Sequence, residues 1–149
     1  MNALLTMATI LCTGLMIGVE FAVSAFINPV LWKLDPGAQA RAIGLFARML
    51  GRAMPVWYGT GFLLLLAEAF TLRRAPESLL LDVAAAIWAL VIVLTLLFLV
   101  PINNRMARMQ AAEFSQATRV EHRKWDWMHR FRVAALVVAL SCFLAAVRL

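Results

Sequence analysis

Residues 79–100, LLLDVAAAIWALVIVLTLLFLV, carry a single charge, Asp82. A helix rises 1.5 Å per residue, so about 20 apolar residues cross a hydrocarbon core roughly 30 Å thick. No strict alternation of apolar and polar residues marks a barrel strand, and a backbone facing lipid must satisfy its own hydrogen bonds. The stretch therefore reads as a transmembrane helix. Three further runs have the same character: Leu4 to about Ile27, about Ala53 to Leu72, and about Phe131 to Val147. The fold class expected is all-α, a four-transmembrane-helix bundle.

Composition agrees with this. Of 149 residues, 64% are hydrophobic and 15% charged, and the mean hydropathy is +0.85. A soluble domain is about half apolar and about a quarter charged. One compact unit over residues 1–149 fits the length. The net charge of +6 is placed in connections between apolar spans. Such loops report topology and contact with anionic lipid, and no basic-aromatic groove is left to take nucleic acid. No Lys or Arg precedes the first apolar run, and Leu11 before Cys12 does not suit a lipoprotein cleavage point. The first span is therefore expected to remain in the mature protein. Cys12 and Cys142 stand in different spans and read as small buried hydrophobes, with a bridge between them as the alternative.

Charge asymmetry orients the spans. Lys33, Arg41, Arg48 and Arg52 lie in the connection after the first span. Arg105, Arg108, Arg119, Arg123, Lys124, Arg130 and Arg132 lie between the third and fourth. These two connections share one face and hold eleven of the fourteen basic residues, while Arg73, Arg74 and Arg148 belong to the other. The positive-inside rule puts the long loops in the cytoplasm and both termini outside it, in what is expected to be a bacterial inner membrane. In the first loop Ile43, Phe46 and Leu50 share one helical face, and Arg41, Arg48 and Arg52 share the other. That pattern predicts an amphipathic interfacial helix over residues 39–52. Trp125 and Trp127 before the fourth span, and Trp32 after the first, suit the membrane–water interface. No internal repeat is apparent.

Glu20 is the most informative residue, because a charge inside a span costs at least about 2.5 kcal/mol and must find protein or water. At 100° per residue Asn2, Thr6, Thr9, Thr13, Glu20 and Ser24 share an arc of about 60°. Gly14, Gly18, Ala22 and Ala25 form a separate small-residue face suited to close helix contact, including contact with a second copy. Candidate partners for Glu20 come from the matching ends of the other spans: Asn28, Trp57 and Tyr58, Asn103, Asn104 and Arg105, and His129 and Arg132. A carboxylate, an imidazole, a guanidinium, amides and aromatic rings at one depth suit binding and deprotonation of a small planar organic acid. Glu20, His129 and Arg132 are the catalytic candidates, and the other six are candidates for substrate binding. The structural alternative is that Glu20 locks the bundle by pairing with an Arg. His122 and His129 are seven apart, and Glu20 could join them on a metal, but without a third nitrogen or sulfur ligand the case for one is weak and the cofactor stays open. Glu68 is expected to pair with Arg73 or snorkel at the outer end.

These features resemble the anthrone oxygenase-like family of small membrane proteins. The residues carrying the resemblance are Gly14-xxx-Gly18 with Phe21, Ser24, Phe26 and Pro29, then Pro101-x-Asn103-Asn104, and the Trp-rich entry with Arg132. The resemblance implies a four-helix membrane bundle. It further implies oxidation of an anthrone to an anthraquinone, with molecular oxygen as co-substrate and no cofactor specified. Glu20 and His129 depart from the family pattern. The function expected is thus an oxygenase or oxidoreductase acting on a small hydrophobic phenol-, anthrone- or quinone-like compound, in contact with the lipid bilayer. A binding or transport protein, or an accessory subunit, is the alternative.

Overall fold

The computed structural model describes residues 2–108 and 115–147; Arg148, counted above with the opposite face, lies outside them. The described residues are helical, and four helical stretches are long and apolar enough to cross a membrane. The first comprises α1 (Ala3–Ala22), a π-helical turn at Val23–Ile27 and α2 (Asn28–Leu31). The second is α3 (Pro36–Thr71), unbroken over 36 residues. The third comprises α4 (Ser78–Leu94), a second π-turn at Thr95–Leu99 and α5 (Val100–Arg108). The fourth is α6 (Gln116–Val147).

All four are longer than the apolar runs in the sequence, because each helix continues past its span at the end where the basic residues concentrate, the basic end of the bundle. Residues 39–52 are therefore not a separate surface helix but part of the first half of α3. Their apolar side still does what the pattern asks: Ile43 and Ala47 pack with Leu31, Ile102 and Met106 in a small core at the basic end. Asp35 starts α3 as its N-cap, accepting from the Ala38 N–H at 2.9 Å, with Pro36 in the first turn where its missing N–H costs nothing.

The two π-turns have a common cause. A proline inside a helix withholds the N–H that the carbonyl four residues earlier needs, and its ring crowds that carbonyl. Pro29 stands four residues after Ala25, the centre of the first π-turn, and Pro101 four after Leu97, the centre of the second. Widening to i→i+5 bonding relieves both: the N–H groups of Asn28 and Val100 donate to the carbonyls of Val23 and Thr95. The extra residue also rotates the remainder of the span. At 100° per residue Asn28 would lie about 80° from Glu20; subtracting one residue leaves it about 20° off, on the same buried face. Asn28 is accordingly 2% exposed.

The main core lies between the spans, around Met16, Leu65, Trp88, Leu136 and Phe143. Its outward surfaces are apolar, with Leu4, Leu63, Leu79 and Leu97 among many exposed hydrophobes. That is the surface a bilayer requires. Two expectations about packing need correction. The Gly14–Gly18 face is not held against a neighbouring helix of this chain, since a methyl group at either position would meet nothing within 4 Å. Glu68 does not reach Arg73 or the surface: it is fully buried, with no hydrogen-bond partner for either carboxylate oxygen among the described residues, while Arg73 sits over the Phe70 ring. Seven residues, two turns, separate Glu68 from Gly61, so both face inward.

The close approach in this bundle is at Gly61. A methyl there would stand 2.8 Å from Trp88 Cζ2 and 3.5 Å from Thr13 Cγ2. Trp88 cannot yield, being fully buried with its indole N–H donating to the Tyr58 carbonyl at 3.1 Å. We predict that Gly61→Ala lowers stability by about 1–3 kcal/mol through overpacking, whereas Gly18→Leu changes it by no more than about 0.5 kcal/mol. Thermal unfolding in detergent of the two variants checks this; equal effects would contradict it.

Candidate functional site

Glu20 approaches the end of α1 just before the first π-turn, and α6 brings His129 and Arg132 to it. Arg132 Nη2 donates to Glu20 Oε2 at 2.5 Å. The same Nη2 lies 2.8 Å from His129 Nδ1, and Nδ1 lies 3.2 Å from Glu20 Oε2. His129 Nε2 is 3.1 Å from the backbone carbonyl of Glu20. A carbonyl oxygen only accepts and a guanidinium only donates, so the tautomer is determined: Nε2 carries the proton and Nδ1 accepts. Two acceptors, a carboxylate oxygen and an imidazole nitrogen, thus face each other across one donor. A proton arriving at either would be shared as Nδ1–H···Oε2. All three groups are withdrawn from solvent, the Glu20 side chain being 3% exposed, that of His129 1% and that of Arg132 11%.

This cluster forms one end of a cavity of about 400 Å³, within the size of small-molecule sites. Both π-turns help to wall it: Val23 and Ile27 come from the first, Thr95, Leu96 and Leu99 from the second. Thr95 also accepts from Arg132 Nη1 at 3.5 Å. Tyr58, on α3, closes the inner end, with the Arg132 guanidinium 5.5 Å from its ring centroid. The Tyr58 hydroxyl and Arg132 Nε are buried and have no hydrogen-bond partner of good geometry among the described residues. Buried polar atoms are rarely left so, and a ligand or water is the usual explanation.

Toward the opposite end α6 contributes a run of three rings over two turns, and Leu31, Ile43 and Met106 line the cavity from the other helices. The rings of His122, Trp125 and His129 lie nearly parallel, 9° and 10° apart, with centroids separated by 6.1 and 4.7 Å. Beside them the Asn28 amide donates to Asp126 Oδ1 at 2.7 Å, and Asp126 also accepts from the exposed Arg130 at 3.2 Å. That pair fastens the segment after the first π-turn to α6.

The structure thus gathers Glu20, Asn28, Tyr58, Asn103, Asn104, His129 and Arg132 around one space. The Asn103 amide N–H is already engaged with the Ala47 carbonyl at 3.1 Å, close to Gly51. Trp57 and Arg105 go elsewhere. The Trp57 indole donates to the Cys12 carbonyl at 3.0 Å, tying α3 to α1, and Arg105 is half exposed and paired with Glu121. Adjacent residues on a helix point about 100° apart, so Tyr58 facing the cavity turns Trp57 away. Sequence reasoning passed over Thr95 and Asp126, and it placed Trp125 at the interface. The signal for Trp125 was there: residues 122, 125, 129 and 132 repeat at three and four, one face of a helix, provided that α6 begins well before the span. Among the described residues, no three His, Cys, Asp and Glu side chains gather as a metal site.

A four-helix bundle long and apolar enough to span a membrane, with a largely apolar cavity at its basic end, defines the class. The family is more specific: a family model for anthrone oxygenase matches residues 43–142, and the chain belongs to that family. The match takes in Tyr58, Pro101-x-Asn103-Asn104, His129 and Arg132, and leaves the first span with Glu20 outside. No curated protein and no solved structure matched the chain.

Removing one member of a buried ion pair strands the other and costs about 3–5 kcal/mol. Glu20→Gln is expected to destabilise the protein by that order, and adding Arg132→Gln to recover part of the loss. Chemical or thermal unfolding of the two variants measures this. A double variant as unstable as the sum of the single changes would show that the two side chains are not coupled.

Proposed function

We propose that this protein is an oxygenase-type oxidoreductase of the inner membrane, acting on a small planar phenol-, anthrone- or quinone-like compound with its basic end in the cytoplasm. The observation that carries the reading is the pairing of two things in one apolar cavity. One is the Glu20–His129 acceptor pair. The other is a set of buried donors, the Tyr58 hydroxyl and Arg132 Nε, that make no hydrogen bond of good geometry among the described residues. Family membership supports the same chemistry.

In an anthrone the acidic C–H sits across the central ring from a carbonyl. Glu20 or His129 takes the proton as a general base, a role worth about 10²–10⁴-fold. The carbonyl oxygen becomes an enolate, and Arg132 and Tyr58 stabilise the charge where it develops. The electron-rich carbon then forms a bond to molecular oxygen, and the stored proton returns to the distal oxygen. Loss of water from that hydroperoxide leaves the second carbonyl. One O₂ is consumed and one water released, with no net proton change. Arg132 remains the fixed cation throughout, so the site need not import a counter-ion.

A binding or permeation role has one observation of its own, the unpartnered Glu68 buried among the spans that also bury Thr6, Thr9 and Thr13. It supplies no oxidation chemistry, and the two roles separate experimentally.

Tyr58→Phe removes only a hydroxyl that lies beside Glu20 without a hydrogen bond of good geometry among the described residues, so the variant should fold nearly as stably as the parent. If that hydroxyl holds the developing enolate, turnover of anthrone falls by about 10²–10³-fold, as for loss of one oxyanion donor. Purified protein in nanodiscs, followed by the visible absorbance of the quinone product, checks this. Full turnover in Tyr58→Phe would remove Tyr58 from the site. A wild-type protein no faster than spontaneous oxidation would overturn the enzymatic reading.

A further inference from the structure

His122 is the buried polar group of the cavity that the proposed reaction leaves unused. It is 4% exposed, it lines the cavity at the end away from Glu20, and its Nε2 has no hydrogen-bond partner among the described residues. Its ring is held from two sides, by Trp125 at 6.1 Å in a parallel arrangement and by Trp32 at 5.1 Å and 41°. Trp32 is itself covered by the Arg123 guanidinium, 5.4 Å from its centroid. A ring clamped in this way is not free to turn its nitrogen toward another group. A buried ring nitrogen left without a partner carries a desolvation penalty, and a site that keeps one gains when a ligand supplies the missing hydrogen bond.

The unpartnered polar atoms lining the cavity therefore fall at two separated places: Tyr58 Oη and Arg132 Nε at the Glu20 end, His122 Nε2 at the other. Seven residues of α6, about 10 Å of helix axis, separate His122 from His129. Between them Trp125 lines the cavity, its indole stacked between the two imidazoles.

We infer that His122 is a second recognition point, reading a hydroxyl group on an outer ring of a fused-ring ligand whose carbonyl is held at the Tyr58–Arg132 end. The inference rests on the proposed reading of the cavity and adds to it a specificity-determining residue, His122. Asp126, one turn along α6, is occupied by the Asn28 amide and Arg130 and leaves the recognition to His122. His122 makes no contact with the reacting carbon; it selects and orients.

The test compares two probes, 2-hydroxyanthraquinone and unsubstituted 9,10-anthraquinone, by quenching of tryptophan fluorescence in nanodiscs of one lipid composition. A neutral hydrogen bond changes affinity by about two- to tenfold. The wild type should prefer the hydroxylated probe by that factor. His122→Phe should lose the preference while binding the unsubstituted probe as before. His122→Gln, which keeps a hydrogen-bonding group, should retain part of it, and this second variant separates recognition from a packing defect. Binding of both probes with the same ratio in wild type and His122→Phe would overturn this inference alone. Binding of neither probe by the wild type would overturn the reading of the cavity and the inference together.

Discussion

The contact on which the site depends is the one between Glu20 on α1 and Arg132 on α6, 2.5 Å long and nearly excluded from solvent. Moving either charge into the bundle alone is unfavourable by several kcal/mol, so each is tolerable only because the other is there. The pair sets the rotation of both helices, since a change of one residue in either would carry its charge out to lipid or into the core. His129 completes it from the same helix, three residues before Arg132, with one ring nitrogen on the Glu20 carboxylate and the other on the Glu20 carbonyl. The carbonyl contact makes Nε2 the protonated nitrogen and leaves Nδ1 as a base.

Around this pair the backbone is irregular at two matching places. Spans one and three each carry a π-turn four residues ahead of a proline, in the local sequences Phe26-Ile27-Asn28-Pro29 and Phe98-Leu99-Val100-Pro101. Each is followed by a long unbroken helix, α3 or α6. The chain therefore repeats one architectural unit, a span with a π-turn and an unbroken one, though its sequence shows no repeat by inspection. Residues of both π-turns line the cavity. The walls are apolar because lipid-depth side chains fill them, and the polar groups stand at the two ends. That arrangement suits the planar lipophile of the proposed reaction, one edge of which would face the base.

How much of this was legible in the sequence differs from residue to residue. Residues 79–100 admit no other reading than a span, because apolar length is read directly as bilayer thickness. Glu20 stood out for the same reason in reverse, as a charge where charges are costly. Its partners Arg132 and His129 followed from depth alone. Depth does not give direction, however, which is why Trp57 and Tyr58 looked equivalent until α3 was placed. The π-turns were signalled only by Pro29 and Pro101, which say that a carbonyl loses its partner but not how the helix adapts. Glu68 was misjudged because its position near the end of a span suggested snorkelling, whereas its face, set by Gly61 two turns away, turns it inward. Trp125 looked like an interfacial anchor because the apolar run begins after it, while the helix begins nine residues before it. The first span lies outside the residues matched to the family, so Glu20 joins the site through the fold and not through the family match.

The proposed chemistry stands on a neutral, Nε2-protonated His129 beside Glu20, at the end of a ligand-binding cavity. The chain has two histidines, His122 and His129, one toward each end of that cavity. Nitrogen NMR of protein labelled with ¹⁵N-histidine therefore gives a simple spectrum, recorded before and after addition of 9,10-anthraquinone. The expected result is that His129 carries its proton on Nε2 and that the anthraquinone shifts the His129 signals. A proton on Nδ1, or His129 signals indifferent to the added quinone, would contradict it.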